Sequence, residues 1–272
     1  YSLAKYERAL DIQDRMLELR ERLFGKDNNE YAKGLNLKAN LFSELGKYNE
    51  ALELFSITAT IRKNKEELEE DLAVSYNNIA STYKNLMKYN LSLEYAEKAL
   101  EINEKILDNN ISLSIDYGNI SMIYWNLKKY DISLNYAKKG LEISENILNN
   151  NHISLATKYG NISLIYKNLK KHDLSLNYAK KSLKIVELIL DRNHPNLAKY
   201  YNNIAHIYKD LKECQKAIVY MQKAKNIYSL YEYKKSETFY AIQFIKKIEY
   251  NIKKEEKLSY QKRGNFCIDL EK

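Results

Sequence analysis

The sequence predicts an all-α protein, an α-solenoid built of stacked antiparallel helical hairpins. Three observations predict it. Turn residues are sparse, with one proline, Pro195, and seven glycines in 272 residues; sheets and long irregular loops need more punctuation than that. A segment also recurs: Ser75 to Tyr83, Asp116 to Tyr124, Lys158 to Tyr166 and Tyr200 to Tyr208 share one pattern, and their tyrosines at 76, 117, 159 and 201 are spaced by 41, 42 and 42 residues. Finally, each unit carries two apolar stripes of helical period, separated by a short polar break.

The elements follow in order. In the unit over 67–108, the residues Tyr76, Ile79, Ala80, Tyr83 and Leu86 recur at helical spacing and mark the first helix. Met87 to Asn90 is the break, and Leu93, Ala96, Ala99 and Leu100 begin the stripe of the second helix. So short a connection forces the two helices antiparallel. Small residues recur in three registers: Ala80, Ser121, Ser163 and Ala205; Ser92, Ser133, Ser175 and Ala217; Ala99, Gly140, Ser182 and Ala224. They let helix axes approach while Tyr83, Tyr124, Tyr166 and Tyr208 fill the remaining volume. One hairpin cannot bury its stripe alone, so neighbours must stack.

Boundaries follow from the period. Hairpins are expected over 26–66, 67–108, 109–149, 150–191 and 192–230. Residues 1–25 read as the second helix of an incomplete repeat, whose stripe of Leu10, Leu17, Leu19, Leu23 and Phe24 calls for a missing repeat or another chain. Residues 231–258 read as a capping helix with Phe239, Ile242, Phe244, Ile245 and Ile248 inward, and 259–272 as a tail without period.

These units resemble the tetratricopeptide repeat. The segment from Leu35 to Phe55 follows its consensus, with Ala39, Phe42, Leu45-Gly46-Lys47-Tyr48-Asn49-Glu50-Ala51 and Phe55, and departs from it at Lys38. The 41- to 42-residue period and connectors such as Asp191 to Ala198 resemble the kinesin-light-chain type. The resemblance implies a right-handed solenoid whose first helices line a concave face that holds a partner protein or peptide.

Carried over residue by residue, that implies three rows of candidate contacts and two residues beside them. Asn78, Asn119, Asn161 and Asn203 form one; Ser81, Met122, Leu164 and His206 a second; Asn85, Asn126, Asn168 and Asp210 a third; and Asn77 and Trp125 lie beside them. A carboxamide can pair with both N–H and C=O of an extended chain. First helices about 10 Å apart would meet such a chain about every third residue. The same asparagines could instead bond a neighbouring helix. The clamp that some members of this family use on acidic C-terminal tails needs lysine and arginine here, so such tails are disfavoured.

Catalytic chemistry finds no support. His152, His172, His194 and His206 share no metal-ligand spacing, and no glycine-rich phosphate loop or nucleophile elbow exists. The acidic run Glu66 to Asp71 suits a helix start. The expectation is no enzyme, no metal, no cofactor and no small-molecule substrate. Cys214 and Cys267 stand far apart, which fits a reducing, cytoplasmic compartment. No apolar run approaches the length of a membrane span. The net charge of +8 is spread among alternating lysines and glutamates, the pattern of a solvated face, so nucleic acid ranks last as a partner. The function expected is a scaffold or adaptor that binds an extended peptide or helix. The alternative is a regulatory or sensor segment of a larger signalling or effector protein.

Overall fold

The computed structural model describes residues 2–63, 65–106, 110–231 and 234–269, with side chains for Tyr6 and for 8–254 within those ranges. Among them stand twelve α-helices and no strand. The chain divides into two compact units, Tyr1–Ile147 and Leu148–Lys272.

The first unit holds α1 (Ser2–Phe24), α2 (Asn29–Glu44), α3 (Tyr48–Arg62), α4 (Glu69–Asn85), α5 (Tyr89–Ile106), α6 (Ile111–Asn126) and α7 (Tyr130–Ile147). A short 3-10 turn, Glu66–Leu68, leads into α4, whose first turn carries Glu69, Glu70 and Asp71. There the acidic side chains face the positive end of the helix dipole. Hairpins form from α2 with α3, α4 with α5 and α6 with α7, and they stack through α1 on α2, α3 on α4 and α5 on α6.

The second unit holds α8 (Ile153–Asn168), α9 (His172–Ile189), α10 (Pro195–Asp210), α11 (Cys214–Tyr228) and α12 (Lys235–Asp269). Here α8 pairs with α9 and α10 with α11, while α10 stacks on α9 and α12 on α11. No described helix is long and apolar enough to cross a membrane.

Each hairpin turns by the same device. The residue after the first helix's C-cap takes a left-handed conformation: Gly46 at φ 73°, then Met87, Lys128, Lys170 and Lys212 at φ 58°, 59°, 59° and 62°. The next amide donates back five residues, Lys88 N to Tyr83 O and Lys129 N to Tyr124 O at 2.9 Å each. That satisfies carbonyls a helix end would otherwise leave open. N-caps repeat as well: Asn28, Asn110, His152 and His194 each accept from the backbone N–H two residues on. This gives His152 and His194 a structural task.

The small-residue registers are the seams of the hairpins. Ser121 Oγ donates to Ser133 O and Ser133 Oγ to Ser121 O, both at 2.8 Å, and Ser163 and Ser175 repeat the exchange. At Gly140 a Cβ would stand 2.9 Å from the carbonyl oxygen of Ser114. Over the seams lies a tyrosine stack: Tyr95 meets Tyr76 and Tyr83 with ring centres 5.8 and 5.6 Å apart, and Tyr136, Tyr178 and Tyr220 do likewise in their hairpins.

Two expectations change at the C-terminal end. Phe239, expected inward, is 63% exposed. The face of α12 that packs runs through Ala241, Phe244, Ile245 and Ile248, and Phe239 sits off that stripe. The helix also runs on to Asp269, through much of the stretch that lacks a sequence period; residues 270–272 lie outside the described ones.

Candidate functional site

The first helices carry the candidate rows, and the structure gives each asparagine a specific place. In the first unit, Asn78 Nδ2 donates to Asn36 Oδ1 at 2.8 Å, linking α4 to α2. Asn119 Nδ2 donates to Asn77 Oδ1 at 3.1 Å, linking α6 to α4. Asn77 Nδ2 in turn donates to Asp116 Oδ1 at 2.6 Å, so both ends of its carboxamide are engaged within the chain. The carboxamides thus form two separate links between neighbouring first helices, Asn36 with Asn78 and Asn77 with Asn119. A carboxamide offers two N–H groups and two lone pairs, so single bonds at Asn78 and Asn119 leave capacity on both.

Beneath these links lies a buried carboxylate. Asp116 is 1% exposed and accepts 2.6 Å bonds from Asn77 and Asn103. Burial pushes its carboxyl up from the ordinary range, and the two amide donors partly oppose that. At the preceding stacking interface Arg62 takes the register of Asn103. It is 3% exposed and donates to Asn29 Oδ1, Asp71 O and Ser75 Oγ at 3.0, 3.0 and 2.8 Å. These polar junctions tie α3 to α4 and α5 to α6.

The remaining candidates of the first unit differ in access. Ser81 and Asn85 are exposed; Met122, Trp125 and Asn126 are half-buried. Asn126 Nδ2 donates to Met122 O of its own helix at 2.7 Å. Trp125 Nε1 is buried without a protein acceptor. Lys84, which shares Trp125's register in the repeat, is half-buried, and burial holds its ammonium below the usual lysine range. Sequence reasoning missed Lys84, although the 41-residue step from 84 to 125 was there to find it.

In the second unit Asn161 is half-buried, and Leu164 and Asn203 are exposed. Asn168 Nδ2 donates to Leu164 O at 2.8 Å. Asp210 Oδ2 lies 3.7 Å from Lys167 Nζ, joining α10 to α8. His206 is covered by the chain itself: Tyr240 Oη stands 3.1 Å from its Nε2, and the Phe244 ring packs edge-on at 4.8 Å between centres. Burial, with Lys167 and Lys209 adding to it, drives its imidazole down to about 4. His206 is thus an uncharged packing residue under α12.

The outer lysines have a place of their own. Lys139 stands over Tyr117 and Tyr136, Lys181 over Tyr159 and Tyr178, and Lys223 over Tyr201 and Tyr220, at 5.2–5.7 Å from the ring centres. Each caps a tyrosine stack by a cation–π contact.

The comparisons agree with this architecture. BtubC (BKLC) from P. vanneervenii is similar, with a TM-score of 0.73 at 21% identity over 83% of this chain and 91% of that one. A Podosopora anserina protein assigned as a kinesin light chain, with nearly identical TPR-like repeats, gives a TM-score of 0.64 at 16% identity, covering 74% of this chain and 96% of its own. The apo form of RapI gives 0.64 at 18% identity, covering 88% and 62%. At these identities the likeness shows the fold alone. No curated protein matches the sequence. The family model of the tetratricopeptide repeat matches residues 1–63, 71–152 and 154–229, and with its paired helices, small-residue seams and left-handed hairpin turns the chain belongs to the tetratricopeptide-repeat family.

Proposed function

We propose that the chain is a protein-interaction module that holds an extended segment of a partner polypeptide along its first helices. The observation that carries this reading is the pair of asparagine bonds between neighbouring first helices, Asn78 to Asn36 and Asn119 to Asn77. Bonds between neighbouring helices fix the carboxamides at defined positions before any partner arrives. Less ordering entropy then remains to be lost on binding. Their remaining donors and acceptors suit a peptide backbone, whose N–H and C=O groups need partners in sequence-tolerant fashion. The exposed Ser81 and Asn85 and the half-buried Met122 and Trp125 stand beside those asparagines and would read side chains.

Selection of displayed random peptides against the full chain tests this. Enriched peptides are expected to bind Asn78→Ala and Asn119→Ala more weakly, by about 1 kcal/mol or about fivefold each for one lost neutral hydrogen bond. Equal affinity for wild type and both variants, at unchanged helicity, would refute the reading.

A further inference from the structure

Two of the tyrosine stacks end on a carboxylate of the preceding hairpin. Tyr117 Oη donates to Glu104 Oε1 at 2.8 Å, and Tyr201 Oη donates to Glu187 Oε1 at 2.7 Å. Beside each pair stands a lysine of the cation–π series, Lys139 over Tyr117 and Lys223 over Tyr201. The carboxylate register reads Glu21, Lys63, Glu104, Glu145 and Glu187, at steps of 42, 41, 41 and 42 residues. Lys63 breaks the series. Its backbone is fixed as the C-cap of α3, where its amide donates to Ala59 O at 2.9 Å. From this register the stack of Tyr76 and Tyr95 receives an ammonium, where Tyr117 and Tyr201 receive a carboxylate.

Two clefts of the first unit meet at this point. The smaller, about 230 Å³, is lined by Lys63, Tyr76, Ile79, Tyr95 and Lys98 among others, and no carboxylate is among its described lining residues. Ser56 and Thr60 also line it, but their hydroxyls donate to Leu52 O and Ser56 O within α3, so the proton donors left for a ligand are Tyr76, Lys63 and Lys98. Lys98 Nζ lies 4.6 Å from the centre of the Tyr95 ring and 2.6 Å from Glu94 Oε1, which leaves further N–H groups on its ammonium. The larger cleft, about 510 Å³, shares Lys63, Tyr76 and Lys98 and carries both signs, with Lys65 and Lys105 beside Glu66, Glu69 and Glu101. Of these, Glu101 is paired with Lys105 at 2.9 Å. A cleft of about 380 Å³ in the second unit matches it position by position. There Glu187, Leu197, Tyr201, Lys223 and Ile227 stand where Lys63, Leu72, Tyr76, Lys98 and Ile102 stand here.

We propose that the smaller cleft is a docking site for the side-chain carboxylate of a glutamate or aspartate on a partner polypeptide. It stands apart from the first-helix contact proposed above and does not depend on it. The incoming carboxylate takes the place that Glu104 and Glu187 fill at their own interfaces: it accepts from Tyr76 Oη and pairs with Lys63 and Lys98. The repeat itself shows which group fits, because a carboxylate already sits beside the same tyrosine and lysine registers at Tyr117 and Tyr201. Exchanging that carboxylate for Lys63 reverses the sign of the charge, so an anion from outside completes the arrangement. Hydrogen bonds to an ionised acceptor are about twice as strong as neutral ones, which favours a carboxylate over a carboxamide. The larger cleft beside it leaves room for the chain that bears the carboxylate, and its mixed charges suit polar flanking residues.

NMR titration of the full chain at low salt tests this, with acetyl-Gly-Glu-Gly-amide as the probe and its Gln twin as the neutral control. The Glu peptide is expected to shift the Tyr76 ring and Lys63 side-chain signals saturably, with the Gln peptide at least about tenfold weaker. Tyr201 and Lys223 serve as the control within the molecule, since Glu187 already occupies their cleft, and their signals should stay in place. Lys63→Glu should rebuild the internal pair and abolish the response. Its side chain is exposed, so helicity by circular dichroism is expected to hold. Tyr76 and Lys63 signals that stay unmoved by the Glu peptide would overturn the proposal, as would equal shifts with the Gln peptide. Equal shifts at Tyr201 and Lys223 would also overturn it, since they would mark a diffuse attraction to the basic chain, and so would an undiminished response in Lys63→Glu.

Discussion

His206 and Lys128 show how position decides what a side chain does. Unfolded, the His206 imidazole titrates near 6.5, and in the fold it is held down to about 4, chiefly by burial under Tyr240 and Phe244. The unfolded chain therefore binds more protons between those two values, and stability rises with pH across that window. The contribution is fully present above 6.5 and lost as pH falls through about 4. Urea unfolding at about pH 5 and about pH 7 should show a smaller pH dependence in His206→Phe than in wild type, and an equal dependence would contradict the assignment. Lys128 stands at φ 59°, where an L-residue with a Cβ is strained by roughly 1–2 kcal/mol. Glycine relieves the strain but loses more entropy on folding. Lys128→Gly is expected to stabilise by about 0.5–1 kcal/mol in denaturant melts, with Lys170→Gly behaving alike.

At the scale of the element, the seam between paired helices sets the tolerance to change. Gly140 lies where its relatives are Ala99, Ser182 and Ala224, so the register alone permits a Cβ. The local approach does not: the added carbon would stand 2.9 Å from Ser114 O, a backbone atom that cannot swing aside. Alanine gains about 1 kcal/mol of helix propensity over glycine, while overpacking costs typically 1–3 kcal/mol. Gly140→Ala is expected to be neutral to destabilising by about 1–2 kcal/mol in thermal or urea melts, and clear stabilisation would mean that α6 and α7 can separate freely. The tyrosine stacks work at the same scale. Lys139, Lys181 and Lys223 cap them by cation–π contacts.

Across the whole molecule, the repeat was legible because a solenoid copies its packing solution. The tyrosines at 76, 117, 159 and 201 and the small-residue registers marked the hairpins and their seams without coordinates. The site was legible only as rows of positions. Periodicity places Asn77 and Asn119 on neighbouring first helices but says nothing of which neighbour a carboxamide meets, so the bonds to Asp116 and between the asparagines were invisible. Asp116 itself replaces Ser75 in the repeat, a substitution whose partner Asn103 lies on another helix. Phe239 misled for a related reason: α12 departs from the repeat, and its apolar residues suit more than one face. Where the period ends, sequence arguments lose their reference.

The central claim is that a partner chain runs along the asparagine row of the first helices. Side-chain amide NMR signals of Asn78 and Asn119, followed while a selected peptide is titrated into the chain, test it most directly. The account predicts that these two signals shift together and saturate at one peptide per chain, while signals near Lys139 and Lys181 on the second helices stay in place. Shifts confined to the second helices, with Asn78 and Asn119 unmoved at saturation, would contradict it.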